Sequence, residues 1–222
     1  LIESVLVANR GEIALRVIRG ARELGIRTIA VFSEPDRGAP HVVHADEAYP
    51  IGPARAADSY LNIGRLLEVA RRAGAQSVHP GYGFLAERAD FAAAVSGAGL
   101  VFVGPAPKTI RAMGNKTEAR RRMEAAGVPV VPGTSEPLAS GREARGVAEA
   151  VGFPVVLKAA AGGGGKGMRV VREPGDAAGA FGAAMREAEA AFGDGRIYIE
   201  RFLERPRHIE VQLLGDAHGN VV

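Results

Sequence analysis

Short apolar runs and longer stretches of helical spacing alternate through the first half of the chain. Ser4-Val5-Leu6-Val7-Ala8 is the first run; after Asn9-Arg10-Gly11, the apolar positions Ile13, Leu15, Val17, Ile18 and Leu24 lie on a stretch that Gly25 ends. Arg27-Thr28-Ile29-Ala30-Val31-Phe32 is the next run. Run, helix and run predict a βαβ unit, and with it an α/β fold on a parallel sheet. Ser33 to Pro40 is turn-rich, and clear periodicity returns only at Asn62, placed to cap a helix through Ile63, Leu66, Leu67, Val69 and Ala70 to Gly74. Gln76-Ser77-Val78-His79 predicts a strand, Phe91 to Val95 a helix, and Leu100 to Val103 a strand stopped by Gly104-Pro105.

Beyond Pro105 the alternation ceases. Lys108 to Met113 and Lys116 to Ala126 read as two short helices, the second ended by Gly127, and Pro132 to Gly141 reads as a loop and a boundary. Helices at Glu143–Val151 and Asp176–Ala191, with strands at Ile197–Glu200 and His208–Leu213, predict a second, smaller α+β unit. Inside it, Val155-Val156-Leu157 and Met168-Arg169-Val170-Val171 are strand-like runs joined by a glycine-rich connection, with Lys158 and Lys166 near its two ends. Glycines let successive backbone N–H groups converge on one anion, so the expected ligand is a polyphosphate. The P-loop pattern fails at both ends. Ala160 replaces its first glycine, Gly167 its hydroxyl residue, and a short β-rich run follows where a helix must open. A hairpin lid over a nucleotide fits better, and a plain glycine linker seldom has apolar strands abutting both ends.

Composition narrows the class further. The chain has 222 residues, 47% apolar and 24% charged, as an ordinary globular protein does. It has no cysteine, which removes disulfides, thiolate metal sites and cysteine nucleophiles. No apolar run is long enough to cross a membrane and no signal-peptide pattern opens the chain, so a cytoplasmic location is expected. The formal charge of +3 is mild, and the run Arg120-Arg121-Arg122, lying beside Glu118 and Glu124, reads as a solvated helix face and not as a nucleic-acid patch. Only four lysines stand among 28 basic residues, Lys108, Lys116, Lys158 and Lys166, and the last two bracket the glycines. Where arginine serves nearly everywhere else, a retained lysine suits a point charge on phosphate. Leu1 and the terminal turn into Val221-Val222 suggest a chain cut at both ends.

Two further features are ambiguous on spacing alone. Gly81-Tyr82-Gly83-Phe84-Leu85-Ala86 formally fits a dinucleotide fingerprint, but it follows a late strand and lacks a ribose-binding acid downstream. Its place after a strand still marks it, because ligands bind at the carboxyl ends of open α/β sheets. Arg16, Arg19 and Glu23 share one face of the first helix and read as exposed charge.

Taken together, Ala8-Asn9-Arg10-Gly11-Glu12-Ile13-Ala14, His79-Pro80-Gly81-Tyr82-Gly83-Phe84-Leu85 with Glu87, Met113-Gly114 with Lys116, the glycine loop and Glu200-Arg201-Phe202-Leu203 resemble biotin carboxylase, the ATP-grasp component of biotin-dependent acyl-CoA and pyruvate carboxylases. The resemblance implies a Rossmann-like parallel-sheet domain over residues 1–113, a helical bridge over 114–130, an α+β ATP-grasp lid over 131–203, and the first strands of an incomplete ATP-grasp core over 204–222. It implies ATP with Mg²⁺ or Mn²⁺, bicarbonate activated as carboxyphosphate, and biotin on a carrier protein or domain, with a carboxyltransferase subunit as further partner. Lys116 and Lys158 would hold phosphates, and Gly163, Gly164 and Gly165 would cover them beside Met168. Glu200, Arg201 and Leu203 would face the adenine edge, with His208 near the ribose or phosphates.

On the same resemblance, His79, Gly81, Tyr82, Gly83 and Glu87 fall on the bicarbonate and biotin side, and Arg16, Arg19 and Glu23 in a homodimer contact. That would overturn the exposed-charge reading. Metal ligands and the catalytic base are expected beyond Val222, so the 222-residue chain alone is expected not to carboxylate biotin. The sequence departs from the family at Asn115, usually Asp, and at Ala161, usually Gly. Other ATP-grasp ligases, such as carbamoyl-phosphate or purine-pathway enzymes, and a non-catalytic nucleotide-binding module are the alternatives.

Overall fold

The computed structural model describes residues 1–161, 167–216 and 218–222, and the chain divides into two compact units, Leu1–Asn115 and Lys116–Val222. Within the first unit the elements are β1 (Ser4–Val7), α1 (Gly11–Glu23), β2 (Arg27–Ser33), α2 (Pro40–His44), β3 (Glu47–Gly52), α3 (Ile63–Arg72), β4 (Ser77–His79), α4 (Ala89–Gly97), β5 (Val101–Phe102) and α5 (Pro107–Gly114). The sheet order is β3-β2-β1-β4-β5, and every pairing is parallel. β1 is central and all four of its residues are buried, as a strand covered on both faces must be. Its alternation divides the core. Leu6 packs with Ile29, Val31, Leu66, Val78 and Phe91, while Val7 turns the other way onto Ala14 and Ile18 of α1.

Helix ends follow the chemistry of their residues. Asn62 accepts a hydrogen bond from the Arg65 N–H at 3.1 Å and so caps α3, whose buried stripe is Leu66, Val69 and Ala70. Gly25, just beyond α1, takes a φ of +71°, a left-handed value that a side chain would oppose.

Two elements lie where the sequence showed no periodicity. α2 is a single turn, and β3 is an edge strand containing Pro50, a residue tolerated at an edge. β3 is fixed by polar contacts at its start: Glu47 pairs with Arg27, and Asp46 accepts from the Thr28 N–H at 2.8 Å and the Thr28 hydroxyl at 2.7 Å.

The second unit comprises α6 (Lys116–Ala125), α7 (Gly141–Val151), β6 (Val155–Ala159), β7 (Arg169–Val171), α8 (Ala177–Phe192) and β8 (Ile197–Arg201). The sheet order is β7-β6-β8, antiparallel throughout. Val155, Leu157, Ala159, Ile197, Ile199 and Val171 face α7 and α8, where Ala144, Ala148, Phe181, Ala184 and Ala188 complete the core. The segment predicted as a loop from Pro132 runs along β8: the Thr134 N–H donates to the Ile199 carbonyl at 2.9 Å, the Leu138 N–H to that of Ile197 at 2.7 Å, and Gly133 bridges Glu200. The strand predicted at His208–Leu213 is not formed. Ile209, Val211 and Leu213 stay exposed, and the tail is held by a bridge between Gly215 and Val221. No described helix is long and apolar enough to cross a membrane.

Two histidines of the first unit, His41 fully buried and His79 partly so, tie its stability to pH. Nε2 of His41 donates to the Val31 carbonyl at 3.3 Å and Nδ1 has no partner among the described residues, as a neutral ring allows. His79 uses Nδ1 to accept the Gly81 N–H at 3.0 Å. Burial pushes both below the ordinary 6.5. A base whose folded pKa is depressed takes up its proton more readily when unfolded, so the stability it contributes is intact above 6.5 and drains away as pH falls below it. The melting temperature is expected to fall between pH 7.5 and pH 5.5, and H41Q, which keeps a donor for Val31, to flatten that slope. A flat profile in the unmodified chain would refute the assignment.

Candidate functional site

Alternation along β6 and β8 determines which side chains remain on the face away from the helices. In the antiparallel register Val156 stands opposite Glu200 and Lys158 opposite Tyr198, all on that second face. Lys158 Nζ donates to Glu200 Oε2 at 2.7 Å. The other carboxylate oxygen, Oε1, lies 3.5 Å from Nη1 of Arg120, on α6. Arg120 also reaches Glu124 at 3.2 Å and donates to the Val131 carbonyl. Lys116, the first residue of α6, precedes Arg120 by four positions and so lies on the same helix face. Its ammonium is held below the ordinary lysine value, first by loss of solvent and then by the charge of Lys158, with Glu200 opposing. The Lys116 side chain remains accessible and lies near enough to Lys158 to feel its charge.

Beside these charges is a pocket of about 240 Å³ lined by Val131, Val156, Lys158, Met168, Glu200, Arg201, Phe202, Leu203 and Pro206. It has an apolar wall and a cationic end, as a base joined to phosphates requires. The Arg201 N–H already donates to the Pro132 carbonyl at 2.7 Å, and the Arg201 side chain turns to the Val151 carbonyl at the end of α7, at 3.2 Å. The pocket thus brings together five of the residues expected at ATP: Lys158, Met168, Glu200, Arg201 and Leu203. It does not include His208, which is exposed and pairs with Glu210 at 3.0 Å. Gly163, Gly164, Gly165 and Lys166 lie outside the described residues.

Arginine 120 is the residue that the sequence pattern concealed. Arg121 and Arg122 are exposed and pair with Glu118, as a solvated face predicts, whereas Arg120 is buried against Glu200. The available signal was its spacing of four from Lys116.

In the first unit a second cluster forms at the carboxyl ends of β1 and β4. Asn9, buried, donates through Nδ2 to the carbonyls of Pro80 at 2.7 Å and Tyr82 at 2.8 Å. Gly81 has φ +65°, and a Cβ there would lie 2.7 Å from Asn9 Nδ2, so glycine is required twice over. Tyr82, Gly83 and Phe84 line an open pocket of about 560 Å³ with Asn9, Arg10 and Asp36. Arg10 stacks over the rings of Tyr60 and Phe84, 5.7 and 5.8 Å from their centroids. Burial tends to raise the Asp36 carboxyl, but hydrogen bonds from Ser33 and Tyr60 and the charge of Arg10 outweigh it and hold it below its ordinary value. Burial is also the main reason the Tyr60 hydroxyl is pushed up to about 12. Glu87 is exposed and outside that lining, and Arg16, Arg19 and Glu23 line a separate exposed groove on α1. Among the described residues no group of three or more His, Cys, Asp or Glu side chains is placed to hold a metal ion.

Residues 1–110 match the family described as biotin carboxylase, N-terminal domain, and residues 115–222 the carbamoyl-phosphate synthase L chain, ATP binding domain. The chain is 54% identical over 222 residues to mitochondrial pyruvate carboxylase of Mus musculus, covering all of this chain and 19% of that protein. It is 50% identical over 221 residues to the biotin-dependent acyl-coenzyme A carboxylase alpha3 subunit of Mycobacterium leprae, covering 37% of it. The crystal structure of a biotin carboxylase complex with β,γ-ATP from Campylobacter jejuni superimposes with a TM-score of 0.91 at 46% identity, over all of this chain and 50% of that one. The chain therefore spans half or less of the length of these relatives.

Gly133 tests how the site is assembled. A Cβ at this position would lie 2.2 Å from the Ile199 carbonyl oxygen and 2.8 Å from the Glu200 Cα. G133A is expected to push the segment off β8 and cost on the order of 2 kcal/mol or more in chemical denaturation. A loss within about 0.5 kcal/mol would show that the segment is not packed as described.

Proposed function

This chain belongs to the biotin carboxylase family, and from that premise we propose that it supplies the nucleotide-binding part of an ATP-dependent carboxylation of carrier-bound biotin by bicarbonate, through carboxyphosphate. The observation that carries the proposal is the convergence of Lys158, Met168, Glu200, Arg201 and Leu203 on one pocket with Lys116 close to Lys158. The base would lie against Val156, Met168 and Leu203, its edge toward the backbone of Arg201 and Leu203. Lys158 and Lys116 would take the phosphates. Their charges, fixed before the reaction, favour the oxygen charge that develops as the γ-phosphoryl group moves to bicarbonate. Gly163, Gly164 and Gly165 would close over the phosphates, their backbone N–H groups acting in the same sense.

Mg²⁺ or Mn²⁺, when bound, would supply neutralisation of phosphate charge. The described residues do not fit such an ion, since the pocket's carboxylate, Glu200, is already shared by Lys158 and Arg120. The chain's own contribution is therefore binding and charge. Tyr82, Gly83 and the loop held by Asn9 and His79 would form part of the bicarbonate and biotin side, with Glu87 at its margin. Arg16, Arg19 and Glu23 would meet a second copy in a homodimer. A biotin carrier and a carboxyltransferase subunit would be the further partners, in a cytoplasmic enzyme.

K158A in the full-length protein is expected to cost about 2–4 kcal/mol of transition-state stabilisation in biotin-dependent ATP turnover. Steady-state ATPase kinetics with and without biotin measure it, and near-normal kcat/KM for ATP would overturn the assignment.

A further inference from the structure

Glu200 creates a difficulty for the phosphate site. Lys158, the cation proposed for phosphate, is tied to it at 2.7 Å, and the Glu200 side chain is only 17% exposed. Drawing Lys158 toward a nucleotide would leave a largely buried carboxylate behind, and removing one partner of such a pair is costly because the other charge stays desolvated. A second cation on the same carboxylate lowers that cost. Arg120 occupies that place: its side chain is 8% exposed, and Nη1 lies 3.5 Å from Oε1, the oxygen that Lys158 does not use.

Arg120 is itself held from two other directions, by Glu124 at 3.2 Å and by the Val131 carbonyl. It therefore stays in place whether Lys158 is on Glu200 or not. The contact with Glu200 is long in the present arrangement, leaving room to tighten when Lys158 departs.

We propose that Arg120 is a positioning residue for nucleotide binding, the resident counter-charge of Glu200 that releases Lys158 to phosphate. This rests on the ATP site proposed above. Arg120 touches no substrate; it sets how readily Lys158 changes partners. The charge-neutral replacement R120M keeps much of the side-chain volume and is expected to raise the Kd for MgATP by about tenfold, with kcat for biotin-dependent turnover nearly unchanged. R120K is expected to recover most of the loss.

The discriminating measurement is a double-mutant cycle in the full-length protein, with MgATP binding followed by calorimetry. With the amide of E200Q, Lys158 is no longer held by a charge, so adding R120M to E200Q is expected to change the Kd by less than about threefold. Equal effects of R120M in both backgrounds would overturn the proposal, as would R120M binding within twofold of wild type, or a lowered melting temperature with unchanged Kd. Should R120M not fold, R120K in the same cycle serves, with a smaller expected coupling of the same sign. A K158A variant that binds MgATP normally would instead refute the site itself, a result distinct from any outcome at Arg120.

Discussion

The second unit's site depends on the placement of one carboxylate. Strand alternation puts the apolar residues of β6 and β8 beneath the helices and leaves Lys158 and Glu200 on the opposite face. A carboxylate so little exposed must be compensated, and the fold does this from two elements, with Lys158 from the neighbouring strand and Arg120 from α6. The same contact ties α6 to the sheet, which in turn places Lys116 near Lys158. Packing, helix placement and the local excess of positive charge therefore have a common cause. An anion is the ligand that such an excess favours.

Close backbone approach is the second constraint, and each unit meets it with glycine for a different reason. At Gly81 the left-handed φ and the Asn9 amide both exclude a side chain, so the loop after β4 is bound to the end of β1. At Gly133 the backbone conformation is ordinary and only space is short, because the segment lies directly against Ile199 and Glu200. Gly81 answers a torsional and a steric demand together, Gly133 a steric one alone. Both sit where a loop is fastened to a strand end that carries site residues.

How far the sequence foretold this differs by element for physical reasons. Buried strands and amphipathic helices write their pattern into consecutive residues, so β1, α1, β2, α3 and β4 were legible within a residue or two, along with the Asn62 cap. β3 was not, because an edge strand held by Arg27, Thr28 and the polar residues Asp46 and Glu47 needs little apolar alternation. His208–Leu213 erred in the other direction. It has the alternation, but a strand exists only against a neighbour, and Ile209, Val211 and Leu213 meet none among the described residues. The arginine run shows why composition misleads on a helix, where adjacent residues are about 100° apart. Of three identical side chains, Arg120 therefore faces Glu200 while Arg121 and Arg122 face solvent, and only the spacing from Lys116 distinguishes the first.

The site residues divide differently. Lys158 was legible beside the glycines from local chemistry, whereas Glu200, Arg201 and Leu203 rested on the family pattern and converge with it on one pocket; His208, resting on the same pattern, lies apart. What a nucleotide presents to this pocket is a flat base and a chain of phosphates, and backbone amides, lysines and apolar strand residues suffice to meet it. On the function proposed above, Lys116, Lys158 and Glu200 answer one demand together: to hold a cation ready for phosphate without leaving a carboxylate unpaired.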